Sequence, residues 1–189
     1  MKIGLYFGSF NPVHVGHLII ASHMAYRTDL EQVWLVVSPR NPLKPAGSLL
    51  NEYDRLHLLQ LAVEKEPRLR VSDIEFSLPR PSYTIDTLTH LEEKYPENAF
   101  SVIMGSDSLE NLNRWKNYEV LLERYPVYVY QRPGHPVTAF PFGDIRVSEA
   151  PLLDISSSMI RRMIHDGISV RYMVPDNVYE YMIANRYYR

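Results

Sequence analysis

Residues 2–7, Lys-Ile-Gly-Leu-Tyr-Phe, form an apolar run that halts at Gly8, and the stretch 18–26 beyond the following Pro- and Gly-containing loop can bury one helical face. Strand, loop and helix in this order constrain the fold more than any other feature, because the unit recurs. Residues 32–37, rich in β-branched and aromatic side chains, stop at Ser38-Pro39 as a second buried strand would. After a loop at 40–49, Asn51 caps a helix whose Leu56, Leu59, Leu61, Ala62 and Val63 point to burial, ending before Pro67. Residues 70–76 alternate as a strand, and a helix entered near Thr84 turns Leu88 and Leu91 inward. Strands are expected again at 100–104, 127–130 and 145–147, with polar or Pro/Gly-containing loops after them. Two more helical patterns follow, one opening at 156–158 and one over 175–187.

This alternation predicts an α/β fold: a Rossmann-like, doubly wound parallel sheet covered on both sides, with the C-terminal helices closing one face. Ligands in such sheets settle outside the carboxyl ends of the strands. The loops after Phe7, Val37, Met104 and Tyr130 are therefore expected to line one crevice. At 189 residues, without a repeat, linker or low-complexity tract, the chain is read as one domain over 1–189.

Composition excludes several chemistries. There is no Cys, so disulfides, thiolate nucleophiles and Cys-ligated zinc are absent. The formal charge of −2 gives no basic field of the kind that grips nucleic acid, and the first apolar run is too short for a signal peptide or membrane span. A cytoplasmic protein without nucleic-acid or membrane partners is expected. Oligomeric state is not legible.

The loop from Gly8 to His17 follows the first strand and opens the first helix, a place where backbone amides and the helix dipole favour an anion such as phosphate. His14 and His17, three residues apart, share one face there, and Gly16 between them removes a side chain where a ligand can approach closely. The pair alone reads first as structural or incidental histidines, though two His can also bind metal. No Cys set or His-Glu-x-x-His arrangement supplies further zinc ligands, and the loop lacks the Gly-Lys-Ser/Thr ending of a P-loop. A second anion site is suggested by Ile155-Ser-Ser-Ser-Met-Ile-Arg161, where serines cap free amides and Arg161 offers a forked charge one turn inside the helix. By itself this also reads as a capped surface helix.

Taken together, Gly8-x-Phe10-x-Pro12-x-His14-x-Gly16-His17 and the late Ile-Ser-Ser-Ser-x-x-Arg resemble the nucleotidyltransferases of the HxGH type. Pro81-Ser-Tyr-Thr-x-x-Thr87-Leu, Gly105-Ser-Asp-Ser-Leu, Trp115 with Tyr118, and Arg132-Pro-Gly are similar to the bacterial nicotinate-nucleotide adenylyltransferases among them. The resemblance implies transfer of AMP from ATP to nicotinate mononucleotide, with Mg²⁺ carried by the ATP phosphates rather than by a protein site. It implies that Gly8, Ser9 and Phe10 meet the nucleotide through backbone and that His14, Gly16 and His17 lie at the ATP phosphates. Ser156, Ser157 and Arg161 would hold the leaving pyrophosphate, and Gly105 with Asp107 the ribose. A locally capping Asp107 is an equal alternative.

On the acceptor side, the resemblance implies that Trp115 stacks on the pyridine ring, with Ser82, Tyr83 and Thr84 at its carboxylate and Lys44 and Arg132 as further acceptor contacts. Without it, Trp115 reads as core packing and 82–84 as a turn with a helix cap. One departure stands out. The family pattern after the second strand is Pro-Pro-His-Lys/Arg, and this chain has Asn41-Pro42-Leu43-Lys44, so a hydrogen-bonding side chain is replaced by an apolar one. The same residues also admit a relative acting on nicotinamide mononucleotide or phosphopantetheine, or a nucleotide-binding sensor without turnover.

Overall fold

The computed structural model describes residues 1–39, 49–137, 142–151 and 153–189. Six strands, β1 (Lys2–Gly8), β2 (Gln32–Val37), β3 (Leu69–Ser72), β4 (Ala99–Gly105), β5 (Val127–Tyr130) and β6 (Ile145–Ser148), make one sheet in the order β3-β2-β1-β4-β5-β6. Every neighbouring pair is parallel. Consecutive parallel strands need crossovers, and these are supplied by α1 (Val15–Arg27), α2 (Glu52–Val63), α3 (Thr84–Lys94), and the short α4 (Ser106–Glu110) and α5 (Tyr118–Arg124). Two further helices, α6 (Ser157–His165) and α7 (Asp176–Ala184), end the chain.

Because strand side chains alternate, one sequence feeds two cores. Ile3, Leu5, Trp34, Val36, Val102, Met104, Val127 and Val129 point to the face covered by α3, α4 and α5. Tyr6, Val33, Leu35, Val37, Ile103, Tyr128 and Tyr130 point to the other, where α1, α2, α6 and α7 contribute Met24, Leu58, Leu59, Ile160, Val178 and Met182. The sheet is thus doubly wound, and the C-terminal helices close one face as the sequence predicts.

Three local expectations are corrected. The first helix begins at Val15, because His14 takes the extended backbone of an N-cap. The expected strand at 70–76 ends at Ser72, where its pairing with Val36 ends, and a 3₁₀ turn (Ile74–Ser77) follows that buries Ile74 and Glu75. The stretch after β4, expected as loop, folds into α4, a 3₁₀ turn (Leu112–Arg114) and α5. Strand order reverses between β1 and β4, so the crevice of this fold opens at Gly8 and Gly105, the ends of those two strands.

Candidate active site

At the end of β1 the chain turns on Phe10, which adopts a left-handed φ of 44° uncommon for a bulky residue. Its buried ring compensates by wedging edge-on against Tyr6 (5.9 Å between centroids) and His17 (5.1 Å). Ser9 turns its carbonyl inward to accept from Arg55 Nη1 at 2.6 Å. At the helix entrance the His14 and His17 rings stack, 3.7 Å apart and 26° from parallel. The reason for Gly16 differs in detail from the expectation: a Cβ there would lie 3.0 Å from His14 Nδ1, so glycine makes room for the imidazole.

His14 is 5 % exposed, and among the described residues its Nδ1 has no hydrogen-bond partner. Burial, reinforced by the nearby Arg132 charge, lowers its pKa to about 4, so the ring is neutral at pH 7. His17 Nδ1 accepts from the His14 backbone N–H at 3.3 Å, which assigns the proton of a neutral His17 ring to Nε2.

The late serine-arginine motif docks directly onto this loop. Ser156 caps α6 by accepting from Met159 N, Ser157 Oγ donates to Pro12 C=O at 2.9 Å, and Arg161 Nη1 donates to Asn11 C=O at 2.7 Å. Asn11 is itself buried, and its Oδ1 accepts from Leu50 N and Tyr188 OH. Two motifs about 145 residues apart in sequence therefore form one wall.

Across the crevice, a Cβ at Gly105 would collide with Asp107 Oδ1 and lie 3.1 Å from the Tyr130 ring. Asp107 does not cap α4, whose N-cap Gly105 has no side-chain bond. Its Oδ1 lies 3.5 Å from Arg132 Nε, a contact without hydrogen-bond geometry, and among the described residues neither atom has a hydrogen-bond partner. Arg132 N–H donates to Ser106 Oγ and its Nη2 donates to Tyr130 OH at 3.4 Å, with Tyr6 OH a further 3.3 Å on. The sequence assigns Arg132 to the acceptor; the structure places it beside Asp107 and close enough to act on His14.

Ser82, Tyr83 and Thr84 enter α3, with Tyr83 at the N-cap, and while Asp86 N–H donates to Tyr83 C=O at 3.0 Å, the amides of Thr84 and Ile85 lack intrahelical partners. Trp115 is half-buried against the same core face as Tyr83. Lys116 joins the two segments, pairing with Asp86 at 2.8 Å and lying 4.9 Å from the Tyr83 ring centroid. Lys44 and Leu43 lie outside the described residues. Among the described residues no group of three or more His, Cys, Asp or Glu is arranged to hold a metal.

The sequence reading passed over Arg55, Asn11, Glu75 and Tyr188. For Arg55 a signal existed: with Leu58, Leu59 and Val63 it completes a buried stripe at helical spacing, where a charge is out of place.

Comparison with known proteins adds to this geometry. The cytidylyltransferase-like family model matches residues 5–163. A Flavobacterium psychrophilum protein named a probable nicotinate-nucleotide adenylyltransferase is 48% identical over the whole of both chains. A Bacteroides thetaiotaomicron protein of the same name is 42% identical over 96% of this chain and 91% of its own. Among solved structures, Plasmodium falciparum nicotinic acid mononucleotide adenylyltransferase complexed with NaAD superposes with a TM-score of 0.82, covering 99% of this chain and 97% of that one. At 19% identity that likeness speaks for the fold.

Proposed function

The chain belongs to the cytidylyltransferase-like family and, within it, to the nicotinate-nucleotide adenylyltransferases, and from that premise we propose how its residues carry out the reaction. The enzyme transfers AMP from ATP to nicotinate mononucleotide, giving nicotinate adenine dinucleotide and pyrophosphate. An oxygen of the mononucleotide's 5′-phosphate attacks the α-phosphorus in line. A new P–O–P bridge forms as the bond from Pα to the pyrophosphate oxygen breaks, and the electron pair leaves with pyrophosphate.

A phosphate monoester has its second pKa near 6, so the nucleophile is largely ionised at pH 7 without a general base. What the protein has to supply is alignment and charge neutralisation. The observation that carries the assignment is the wall built by the stacked His14 and His17 with Ser157 and Arg161 docked on their loop. The amides at the start of α1, His17 Nε2–H and the neutral His14 face the triphosphate, and Arg161, with five N–H donors of which one is spent on Asn11, takes the departing pyrophosphate. Mg²⁺ travels with the ATP phosphates as part of the substrate.

Asp107 accepts from the ribose hydroxyls of ATP, and Arg132 beside it adds positive charge on the phosphate side of the crevice. The pyridine ring stacks on Trp115 while its carboxylate meets the first-turn amides of α3 at Tyr83 and Thr84. The test is pyrophosphate release and chromatographic detection of the dinucleotide with ATP and nicotinate mononucleotide. Turnover of another acceptor or of CTP in their place would overturn the reading.

A further inference from the structure

The acceptor end of the crevice carries an acid of its own where the substrate brings a second. Asp86 stands in the first turn of α3, three residues after the N-cap Tyr83. A carboxylate at that position is favoured by the helix dipole and can reach back to the N-cap N–H. Asp86 thus competes for the amides assigned to the carboxylate of nicotinate mononucleotide, and its charge opposes another anion there. Yet among the described residues the N–H groups of Tyr83, Thr84 and Ile85 have no hydrogen-bond partner. Both oxygens of Asp86 accept instead from Lys116 Nζ, Oδ2 at 2.8 Å and Oδ1 at 3.1 Å.

Lys116 reaches Asp86 from the segment that carries Trp115. It follows the 3₁₀ turn Leu112–Arg114 and Trp115, and precedes Asn117, whose left-handed φ of 51° opens α5. Its Nζ also lies 4.9 Å from the centroid of the Tyr83 ring, so one ammonium engages both the N-cap side chain and the first-turn acid. The two side chains are 44 % and 48 % exposed, a setting in which an ion pair adds little to stability. Its consequence is local and electrostatic.

We propose that Lys116 is a specificity-determining residue for the acceptor: by engaging Asp86 it neutralises the acid in the first turn of α3 and keeps the amides there open to the carboxylate of nicotinate mononucleotide. This rests on the placement of that carboxylate at α3. Without Lys116, Asp86 is released to cap Tyr83 N–H and to repel a second anion. An uncharged amide is not repelled, and it offers N–H donors that a freed Asp86 can accept. Loss of Lys116 therefore narrows the preference for nicotinate over nicotinamide mononucleotide, and removal of the Asp86 charge restores it.

The experiment compares wild type, Lys116→Met, Asp86→Asn, the double variant, and Arg124→Met. Arg124 pairs with Glu92 at 2.7 Å and so also bridges α5 to α3, but about 9 Å further along α3 than Asp86. Tm is measured, together with kcat and KM for nicotinate and nicotinamide mononucleotides at saturating ATP. Lys116→Met keeps the apolar stem and is expected to raise the KM for nicotinate mononucleotide about tenfold, with kcat/KM for nicotinamide mononucleotide no lower than about half that of wild type. Asp86→Asn alone leaves the nicotinate KM within about twofold, and in the double variant it brings that KM back to within about threefold of wild type although the ion pair stays broken. A double variant as impaired as Lys116→Met overturns the proposal, because Lys116 would then act on the acceptor without Asp86. Equal losses with both acceptors, or Arg124→Met matching Lys116→Met, also overturn it, since docking of α5 on α3 would explain them. Wild type using both acceptors equally refutes instead the placement of the carboxylate at α3.

Discussion

Replacing Arg161 by Ala separates two jobs that one side chain performs. The first is docking: Nη1 donates a charge-assisted hydrogen bond to Asn11 C=O at 2.7 Å and holds α6 against the first loop. For a partly exposed group this is worth about 1–2 kcal/mol of stability. The second is neutralising charge on the leaving pyrophosphate, where loss of one preorganised donor costs about 10²–10³ in kcat. Ser157→Ala calibrates the docking part, because its hydroxyl makes the parallel bond to Pro12 C=O at 2.9 Å without carrying charge. Arg161→Ala is therefore expected to lower kcat at least about tenfold more than Ser157→Ala at a comparable loss of Tm, with Arg161→Lys in between. A coupled pyrophosphate-release assay at saturating substrates and thermal melts of the same samples provide both numbers. Equal kcat losses in Ser157→Ala and Arg161→Ala would refute the reasoning, since docking alone would then explain them.

His17→Ala is expected to reduce kcat by about 10²–10⁴ with the fold intact, by circular dichroism and Tm; near-normal turnover in a folded variant would defeat the assignment. Because the α3 amides suit a carboxylate, nicotinamide mononucleotide should show kcat/KM lower by about 10² or more than nicotinate mononucleotide, and equal values would sink that inference. His14 yields a stability prediction. Its folded pKa of about 4 lies below the ordinary 6.5, so the unfolded chain takes up the proton first, and stability present above pH 6.5 is lost as pH falls towards 4. The loss is at most about 3 kcal/mol, and His14→Gln should flatten this part of the profile in urea unfolding between pH 7 and 4.5. An unchanged slope in His14→Gln would show that other groups carry it.

The parallel sheet was legible because its four central strands, β1, β2, β4 and β5, are buried along most of their length and read as short apolar runs, and because β1 and β4 both end in glycine at the crevice. The histidine pair was legible because both residues lie within a single helical turn. What could not be read is long-range or too short to show a period. The helices α4 and α5 have 5 and 7 residues, less than the window over which helical spacing declares itself. The contact of Arg132 with Asp107, brought about by the pairing of β4 with β5, is likewise long-range and has no local sequence signature.

Arg55 shows the limit most clearly. Its place in a buried stripe was visible, but its partners are carbonyls of Ser9, Ser38, Pro39 and Leu50, and a backbone carbonyl is common to every residue type. No side-chain pattern marks such acceptors in a sequence. A buried cation in an otherwise apolar helical stripe is nevertheless a signal that the backbone supplies its partners when the carboxylate a turn away is engaged elsewhere, as Glu52 is by Arg80. Only loop or terminal carbonyls are free to do so, since those within helices and interior strands are already bonded. Such a stripe on a helix packed below a ligand-binding crevice therefore points at the loops that form the crevice, which is where Arg55 is found.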